Sequence, residues 1–281
     1  MTCSKEVDPA MKRLSVRPVA ALAAGAVVAA AVLVPSPAQA RDAEGSHPYV
    51  SPWKTPWDYA GPRGNAHWSE LDPAYAACDG KEQSPIDIRN TEKAALPALR
   101  FDYHSAPIQY VINNGHTIRV NYYEPGSGDF LIFEGMRYQL TQLHFHRPSE
   151  ELVNGKSYDM VLHLMHATSD GKVAGVAVFL KAGKANPAVQ ELWDHMPAAE
   201  GQNVVGALEL NPMDLLPADT AAYYLYMGSV TAPPCTEGVT WFVLKKPITV
   251  SRAQIRAFAA LYPDDVRPPQ PLNGRVVKES R

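Results

Sequence analysis

The sequence has no excess of basic residues, no internal repeat and no Gly/Ser-rich linker after residue 40. Its 26 Lys and Arg stand against 29 Asp and Glu, which excludes a nucleic-acid binder because that class needs a basic excess or a basic stripe. The lack of linkers and repeats predicts one domain over residues 41–281. The 25 prolines are nearly twice the number expected at about 5% usage, and they disfavour a helical bundle because proline breaks helices.

The sequence also lacks an apolar run long enough to span a membrane. The longest run, Val19–Val34, has sixteen residues, whereas a spanning helix needs roughly 20. Lys12 and Arg17 precede this run, and the small-x-small pattern of residues 38–40 follows it. This arrangement predicts a signal peptide at residues 1–40 and hence an exported protein, periplasmic or extracellular, with no stable membrane span. An uncleaved membrane anchor is the alternative.

Cysteine is scarce, with three residues, and one of them, Cys3, lies in the predicted signal peptide. Cys78 and Cys235 remain in the exported part. The oxidising compartment that export implies favours a disulfide between them. Two free buried thiols are the alternative that the residues leave open.

What the sequence has in abundance is β-forming segments rich in Val, Ile, Tyr and Phe, separated by Asn-Gly, Pro-Gly and Asp-Gly turns. Helical patterns are few and short, and the proline-rich residues Asp264–Arg281 predict irregular chain. The fold class is therefore mainly β with minor α. Strands are predicted at Ile108–Ile112, Thr117–Tyr123, Phe130–Phe133, Met136–Phe145, Tyr158–Ala167, Val173–Lys181, Ala222–Ser229 and Val239–Val250, and helices at Pro187–His195 and Ser251–Leu261.

Two of the predicted strands carry histidines in a pattern typical of a metal site. Side chains alternate between the faces of a strand, so His144 and His146 share a face with Gln142. His163 belongs to a second strand, and the three imidazoles converge if the two strands are neighbours. Three histidines around an open fourth position are typical of a catalytic zinc site. A coincidental His-x-His pattern is the alternative.

Short motifs of distinctive composition run through almost all of residues 41–281. They are Trp57-Asp58-Tyr59, His67-Trp68, QSPIDI at 83–88, NNGH at 113–116, QLHFH at 142–146, PSE at 148–150, HLMH at 163–166, GSVTAPPCTEGVTW at 228–241 and RPPQPL at 267–272. In this order they resemble the α-class carbonic anhydrases of the exported bacterial type. The resemblance implies a single domain around a large, twisted, mostly antiparallel sheet of about ten strands, with short peripheral helices.

The resemblance assigns a metal centre and its chemistry. Three histidines match the ligands of one Zn²⁺ per chain: His144, His146 and His163. Gln142 matches the residue that orients the first of them. A zinc hydroxide is then expected to attack CO2. Thr231 matches the threonine that holds this hydroxide, and Glu150 matches the carboxylate that accepts a hydrogen bond from the threonine hydroxyl.

His116 matches the residue that carries protons between the zinc site and solvent, a role that suits imidazole. Tyr59, Asn114 and Arg119 match positions that line the connecting water network. An arginine departs from the neutral amide usual in the family. If its charge lies near His116, we expect it to lower the pKa of His116.

Five residues match the CO2 pocket: Val230, Val239, Trp241, Met165 and Gly175. An apolar wall suits an uncharged substrate, so the implied small-molecule partner is CO2 or bicarbonate. Cys78 and Cys235 match the disulfide of exported members, which would brace the loop of Thr231. Bacterial relatives are often homodimers, but no interface can be identified in the sequence.

Three positions depart from the family pattern. Val161 replaces a Glu that usually accepts the free N–H of the third ligand, so we expect water or a carboxylate from elsewhere to substitute. Gly175 replaces a pocket-floor valine, which predicts a wider pocket. Ala232 replaces a frequent hydroxyl residue, which removes a polar contact to bicarbonate.

Two other functions stay open. A non-enzymatic relative would use the fold as a binding module or an inert zinc protein. Such relatives typically lose a ligand histidine, and none is lost here. A zinc hydrolase acting on esters would benefit from a wider pocket at Gly175, and we expect it only as a side activity.

Overall fold

The computed structural model describes residues 53–122, 128–205 and 208–281. The predicted signal peptide, His47 and the predicted strand end at Tyr123 lie outside these residues. Sixteen strands are described: β1 (Asp87–Ile88), β2 (Glu92–Ala94), β3 (Arg100–Asp102), β4 (Ala106–Pro107), β5 (Tyr110–Asn113), β6 (Ile118–Asn121), β7 (Phe130–Phe133), β8 (Met136–His146), β9 (Leu152–Val153), β10 (Met160–Ala167), β11 (Val173–Ala182), β12 (Gly201–Val204), β13 (Glu209–Leu210), β14 (Tyr223–Ser229), β15 (Glu237–Val250) and β16 (Lys278–Ser280).

The helices within the described residues are short. The α-helices are α1 (Trp68–Leu71), α2 (Pro187–Trp193) and α3 (Arg252–Ala259), and the 3₁₀ helices are Gly61–Arg63, Asn65–His67, Pro73–Asp79 and Pro212–Leu215. Ser251 caps the N-terminus of α3, where it forms a reciprocal capping box with Gln254. Among the described residues, no helix has both the length and the apolar character needed to cross a membrane.

Ten strands follow one another across a large mixed sheet in the order β12-β5-β6-β8-β10-β11-β15-β14-β16-β2. β7 pairs with β8, and β3 with β7, which brings the sheet to twelve strands. Neighbours in this sheet are antiparallel except at β11–β15 and β16–β2. Two small sheets, β1–β9 and β13–β4, lie apart from it. This architecture confirms the predicted fold class.

The C-terminal segment differs from its prediction. Residues Asp264–Arg281 were expected to be irregular, yet Lys278–Ser280 forms a strand between β14 and β2. Its backbone pairs with strands far away in the sequence, and a three-residue segment carries no alternation pattern that could predict such pairing. Most other unpredicted strands are also two to four residues long.

The two faces of the sheet bury different contents. Leu143 and Phe145 of β8 are fully buried in the main hydrophobic core, against which α2 and α3 also pack. His144 and His146 alternate with them and therefore point to the opposite face. A second apolar cluster, which includes Trp241, lies on that face. The predicted alternation along β8 thus separates the core from the polar site.

A disulfide joins Cys78 to Cys235, as predicted, across 157 positions of the sequence. Cys78 belongs to the 3₁₀ helix Pro73–Asp79, and Cys235 lies four residues after Thr231. Both cysteines are buried in a small cluster with tryptophan and tyrosine rings. In the chain-entropy view, closing so long a loop stabilises the fold by up to about 5 kcal/mol.

Candidate active site

The site floor, which we define as His144, His146 and His163, lies where β8 and β10 pair. The antiparallel register places His163 directly opposite His144, which confirms that the two strands are neighbours. His146 joins them because side chains two residues apart share a face. Ring nitrogens of the three histidines lie within 4.8 Å of one another. The sheet therefore brings the three predicted ligands to one point.

The outward ring nitrogen of each floor histidine already has a partner. The pairs are His144 Nδ1 with Gln142 Oε1 at 2.8 Å, His146 Nδ1 with the Asp265 carbonyl oxygen at 2.7 Å, and His163 Nε2 with the Glu151 carboxylate at 3.0 and 3.2 Å. A carbonyl or carboxylate oxygen can only accept, so each of these ring nitrogens carries the proton and donates it. The opposite nitrogen of each ring is left with its lone pair.

The inward nitrogens provide a test of whether a metal fits. His146 Nε2 and His163 Nδ1 are buried and have no hydrogen-bond partner. Buried polar atoms without partners are rare, because losing water without compensation is costly. Burial lowers the pKa of His144 and His146 well below its usual value, which keeps both rings neutral at pH 7. Three imidazole nitrogens with an open side fit zinc.

Two buried acids, Glu150 and Glu151, place negative charge beside the floor. Glu150 Oε2 lies 3.4 Å from His146 Nε2 and 3.8 Å from His163 Nδ1. Burial raises the pKa of Glu150 to about 7, with the charge of Glu151 adding to this, while the nearby His163 ring acts in the opposite direction. Burial lowers the pKa of His163, but the two carboxylates outweigh it and raise that pKa. The two carboxylates therefore place negative charge beside the floor, which suits a cation held between the rings.

Thr231 lines the cavity beside the floor and is only 6% exposed. A hydrogen bond from its side chain lowers the pKa of the Glu150 carboxyl. The Arg267 backbone N–H donates to Glu150 Oε1 at 2.9 Å. The Arg267 guanidinium in turn donates to the Cys78 carbonyl oxygen at 2.8 Å and to Gln83 Oε1 at 2.7 Å. Thr231 and Glu150 are thus held by a buried network that reaches the disulfide.

The site mouth, which we define as Trp53, Trp57 and His116, consists of packed aromatic rings. The His116 ring stacks on Trp57 with 3.6 Å between the ring centroids and 5° between the planes. Trp53 packs edge-on at 4.9 Å and donates from Nε1 to the Pro233 carbonyl oxygen at 2.9 Å. Burial between these rings lowers the pKa of His116 to about 4. The predicted proton carrier is therefore neutral at pH 7.

Arg119 is not among the main causes of the lowered pKa of His116. Burial is the main cause of the lowered pKa of His116; Asp58 opposes it and Arg63 adds to it. Arg119 lies on β6 opposite His144 and lowers the pKa of that ring instead. Because β6 pairs with β8, which carries His144 and His146, the Arg119 cation lies beside the floor.

A tight turn between β5 and β6 holds His116 in place. Asn114 Oδ1 accepts the backbone N–H groups of His116 and Thr117 at 2.9 and 2.8 Å. Gly115 has a φ of 84°, a left-handed conformation that glycine adopts readily. Asn114 does line the cavity, but its side-chain oxygen stabilises the turn. Tyr59 lies between the two parts of the site, with ring centroids 6.3 Å from His116 and 6.4 Å from His146.

The apolar wall contains three of the five predicted pocket residues. Val230, Met165 and Trp241 line the cavity, whereas Gly175 and Val239 do not. A Cβ atom at Gly175 would come within 2.6 Å of the Trp241 ring, so the indole fills the space and the predicted widening is wrong. Val239 is buried in the apolar cluster of Trp241, behind the wall.

Three residues of the site were missed by the sequence analysis: Trp53, Glu151 and Asp265. Trp53 precedes the first recognisable motif. Asp265 contributes a backbone carbonyl, which any residue type could supply, so its identity carried no signal. The Glu150-Glu151 pair was visible as two adjacent acids, but only the fold shows that the second acid contacts His163.

Comparisons with known proteins agree with this geometry. A sequence profile described as eukaryotic-type carbonic anhydrase matches residues 63–281. A carbonic anhydrase of Klebsiella pneumoniae is 43% identical over 234 residues, covering 82% of this chain and 93% of that protein. A carbonic anhydrase of Nostoc sp. is 39% identical over 231 residues, covering 80% of this chain and 86% of that protein. The solved α-carbonic anhydrase of Thermovibrio ammonificans in complex with sulfanilamide has a TM-score of 0.76 at 40% identity, covering 82% of this chain and 100% of that one.

Proposed function

The chain belongs to the α-carbonic anhydrase family, and on this premise we propose that it is an exported zinc enzyme that interconverts CO2 and bicarbonate. The observation that carries the proposal is the site floor, where three imidazoles converge and acceptors hold their outward nitrogens. Two of the inward nitrogens, His146 Nε2 and His163 Nδ1, are buried without a hydrogen-bond partner. When bound, zinc supplies the Lewis acidity that ionises water at neutral pH, for which carbonic anhydrases are the standard example. His144, His146 and His163 would hold one ion per chain.

Thr231 and Glu150 orient the attacking oxygen in this proposal. The Thr231 hydroxyl donates a hydrogen bond to Glu150, so its oxygen can only accept a hydrogen bond from the attacking group. This fixes the direction of that group's lone pair, and a preorganised acceptor needs no rearrangement during the reaction. Val230, Met165 and Trp241 offer CO2 an apolar surface that matches an uncharged substrate.

His116 moves protons between the floor and solvent in this proposal, with Tyr59 and Asn114 lining the path. A proton carrier works best when its pKa is near the working pH. The value of about 4 lies below that range, so His116 releases a proton readily but accepts one poorly. We therefore assign it a modest share of the rate.

The proposal includes export and cleavage after Ala40. A disulfide between Cys78 and Cys235 fits an oxidising compartment, periplasmic or extracellular. Residues 1–40 are then the signal peptide and residues 41–281 the enzyme domain. A homodimer stays a prediction, which light scattering would check.

The two other functions have less support. Val161, in place of the usual Glu, would favour a non-enzymatic relative, but Glu151 provides a carboxylate for His163 from another part of the chain. A wider pocket at Gly175 would favour ester hydrolysis, but the Trp241 ring fills the space there.

Stopped-flow CO2 hydration by the purified protein tests the proposal. We expect hydration to disappear when dipicolinate removes the metal and to return with zinc but not with magnesium. Hydration that is unaffected by zinc removal would contradict the proposal. A fully zinc-loaded protein without hydration activity would also contradict it and would favour an inert relative.

A further inference from the structure

The Glu151 carboxylate is the partner of His163 Nε2. Both side chains are fully buried, and Oε1 and Oε2 lie 3.0 and 3.2 Å from the ring nitrogen. Ser149 Oγ donates to the Glu151 backbone carbonyl at 2.8 Å, which ties down the segment that carries the acid. A buried carboxylate without a partner would be very unfavourable, so this contact explains how Glu151 is tolerated.

The contact selects one tautomer of His163. Nε2 must carry the proton because a carboxylate only accepts, and Nδ1 is then left with its lone pair toward the other two ligands. A carboxylate behind a ligating imidazole fixes the ring and raises its basicity. Glu151 contributes a full charge here, whereas His144 and His146 have an amide and a backbone carbonyl as partners.

We propose that Glu151 is the positioning residue of the metal centre, holding His163 in the orientation and tautomer that bind zinc. This inference rests on the proposed function and extends it. The same strand offers an independent way to supply the charge. Val161 precedes His163 by two residues, shares its face of β10 and is fully buried beside the site. A glutamate there would approach the same ring from its own strand.

Zinc affinity, measured by competition with dipicolinate, tests this role without relying on activity. Glu151→Gln keeps the size and removes the charge, and we expect zinc binding to weaken by about 10–100-fold. The double variant Glu151→Gln/Val161→Glu returns a carboxylate to the same ring, and we expect it to recover most of the loss. Asp129→Asn is the matched control, because Asp129 is equally buried but accepts the backbone N–H of His104. It should bind zinc like the wild type.

Thermal unfolding of the metal-free variants separates folding from metal binding, and cobalt-substituted spectra report the ligand geometry. Unchanged affinity in Glu151→Gln would overturn the inference, and so would equal losses in Glu151→Gln and Asp129→Asn. No recovery in the double variant would likewise overturn it. Should Glu151→Gln fail to fold, nitrogen-15 NMR of the wild type decides: a proton on His163 Nδ1 rather than Nε2 in the zinc-loaded protein overturns it. A wild type that binds no zinc would instead refute the proposed function.

Discussion

The site floor and the site mouth are both built from buried or half-buried rings, but they are held in different ways. Each floor histidine belongs to the central pair of strands β8 and β10, and each has one ring nitrogen fixed by an acceptor. His116 of the mouth lies in a turn and is held mainly by stacking on Trp57 and packing against Trp53. The hydrogen bonds of the floor fix the direction in which the lone pairs of its rings point. Stacking does not fix the direction of the His116 ring nitrogens.

The contrast indicates where chemistry depends on exact placement. Hydrogen bonds select both the tautomer and the rotation of a ring. Stacking buries a ring and shifts its pKa but does not aim its nitrogen atoms. We therefore expect substitutions in the floor to have large effects on CO2 hydration and substitutions in the mouth to have small ones.

The largest effect is expected from His146→Ala, which removes one ligand of the floor. Loss of an outer partner costs about 10–100-fold, so loss of a ligand should lower CO2 hydration by more than about 100-fold and remove most bound zinc. Mass spectrometry for zinc and stopped-flow hydration measure both. His104→Ala, at an exposed histidine, is the control. Full zinc occupancy in His146→Ala would contradict the expectation that the floor, unlike the mouth, is required for metal binding.

Thr231→Val should have the second largest effect, because it keeps the shape of the side chain but removes the hydroxyl that we propose orients the attacking oxygen. Losing one preorganised polar group typically costs about 100-fold or more in kcat, and zinc content should stay at the wild-type level. Stopped-flow hydration together with zinc analysis checks both parts. A variant that hydrates CO2 at the wild-type rate would remove Thr231 from the mechanism.

The mouth should show a smaller effect. A well-matched acid–base group typically contributes about 100-fold or more to the rate. His116→Ala is expected to slow CO2 hydration by less than this, because the His116 pKa of about 4 is poorly matched to neutral pH. The loss should appear in weak buffer and disappear when concentrated imidazole carries the protons. A loss that persists in imidazole buffer would show that His116 does more than carry protons.

The smallest effects are expected on the pKa of His116, which a proton NMR titration of its ring measures. Trp53→Ala relieves burial and should raise this pKa, because burial disfavours the charged ring. Arg63→Gln removes a repelling cation and should raise it slightly, whereas Asp58→Asn removes an attracting anion and should lower it slightly. Arg119→Gln should leave it nearly unchanged. A larger shift in Arg119→Gln than in Arg63→Gln would restore the original expectation for Arg119.

The sequence was sufficient to predict the floor because alternation along β8 and β10 is a local property. His144 and His146 had to share a face, and only the pairing of the two strands needed confirmation. The disulfide was predicted from the cysteine count, since only Cys78 and Cys235 lie outside the predicted signal peptide.

The rest of the site depends on contacts that no local pattern encodes. Glu151 reaches His163 because the segment after β8 folds back beside β10, and Trp53 reaches His116 from outside the motifs. Gly175 misled the prediction because a missing side chain suggested empty space, whereas the Trp241 ring from the neighbouring strand fills it. In each of these three cases, the decisive neighbour lies on another element.

The most direct test of the central claim is a crystal of the purified protein measured with X-rays at the zinc absorption edge. We predict one anomalous peak per chain, at about 2.0–2.1 Å from the inward nitrogens of His144, His146 and His163. The same map should show Glu151 still in contact with His163 Nε2. A zinc-containing protein whose peak lies on other residues, or whose floor holds none, would contradict the account.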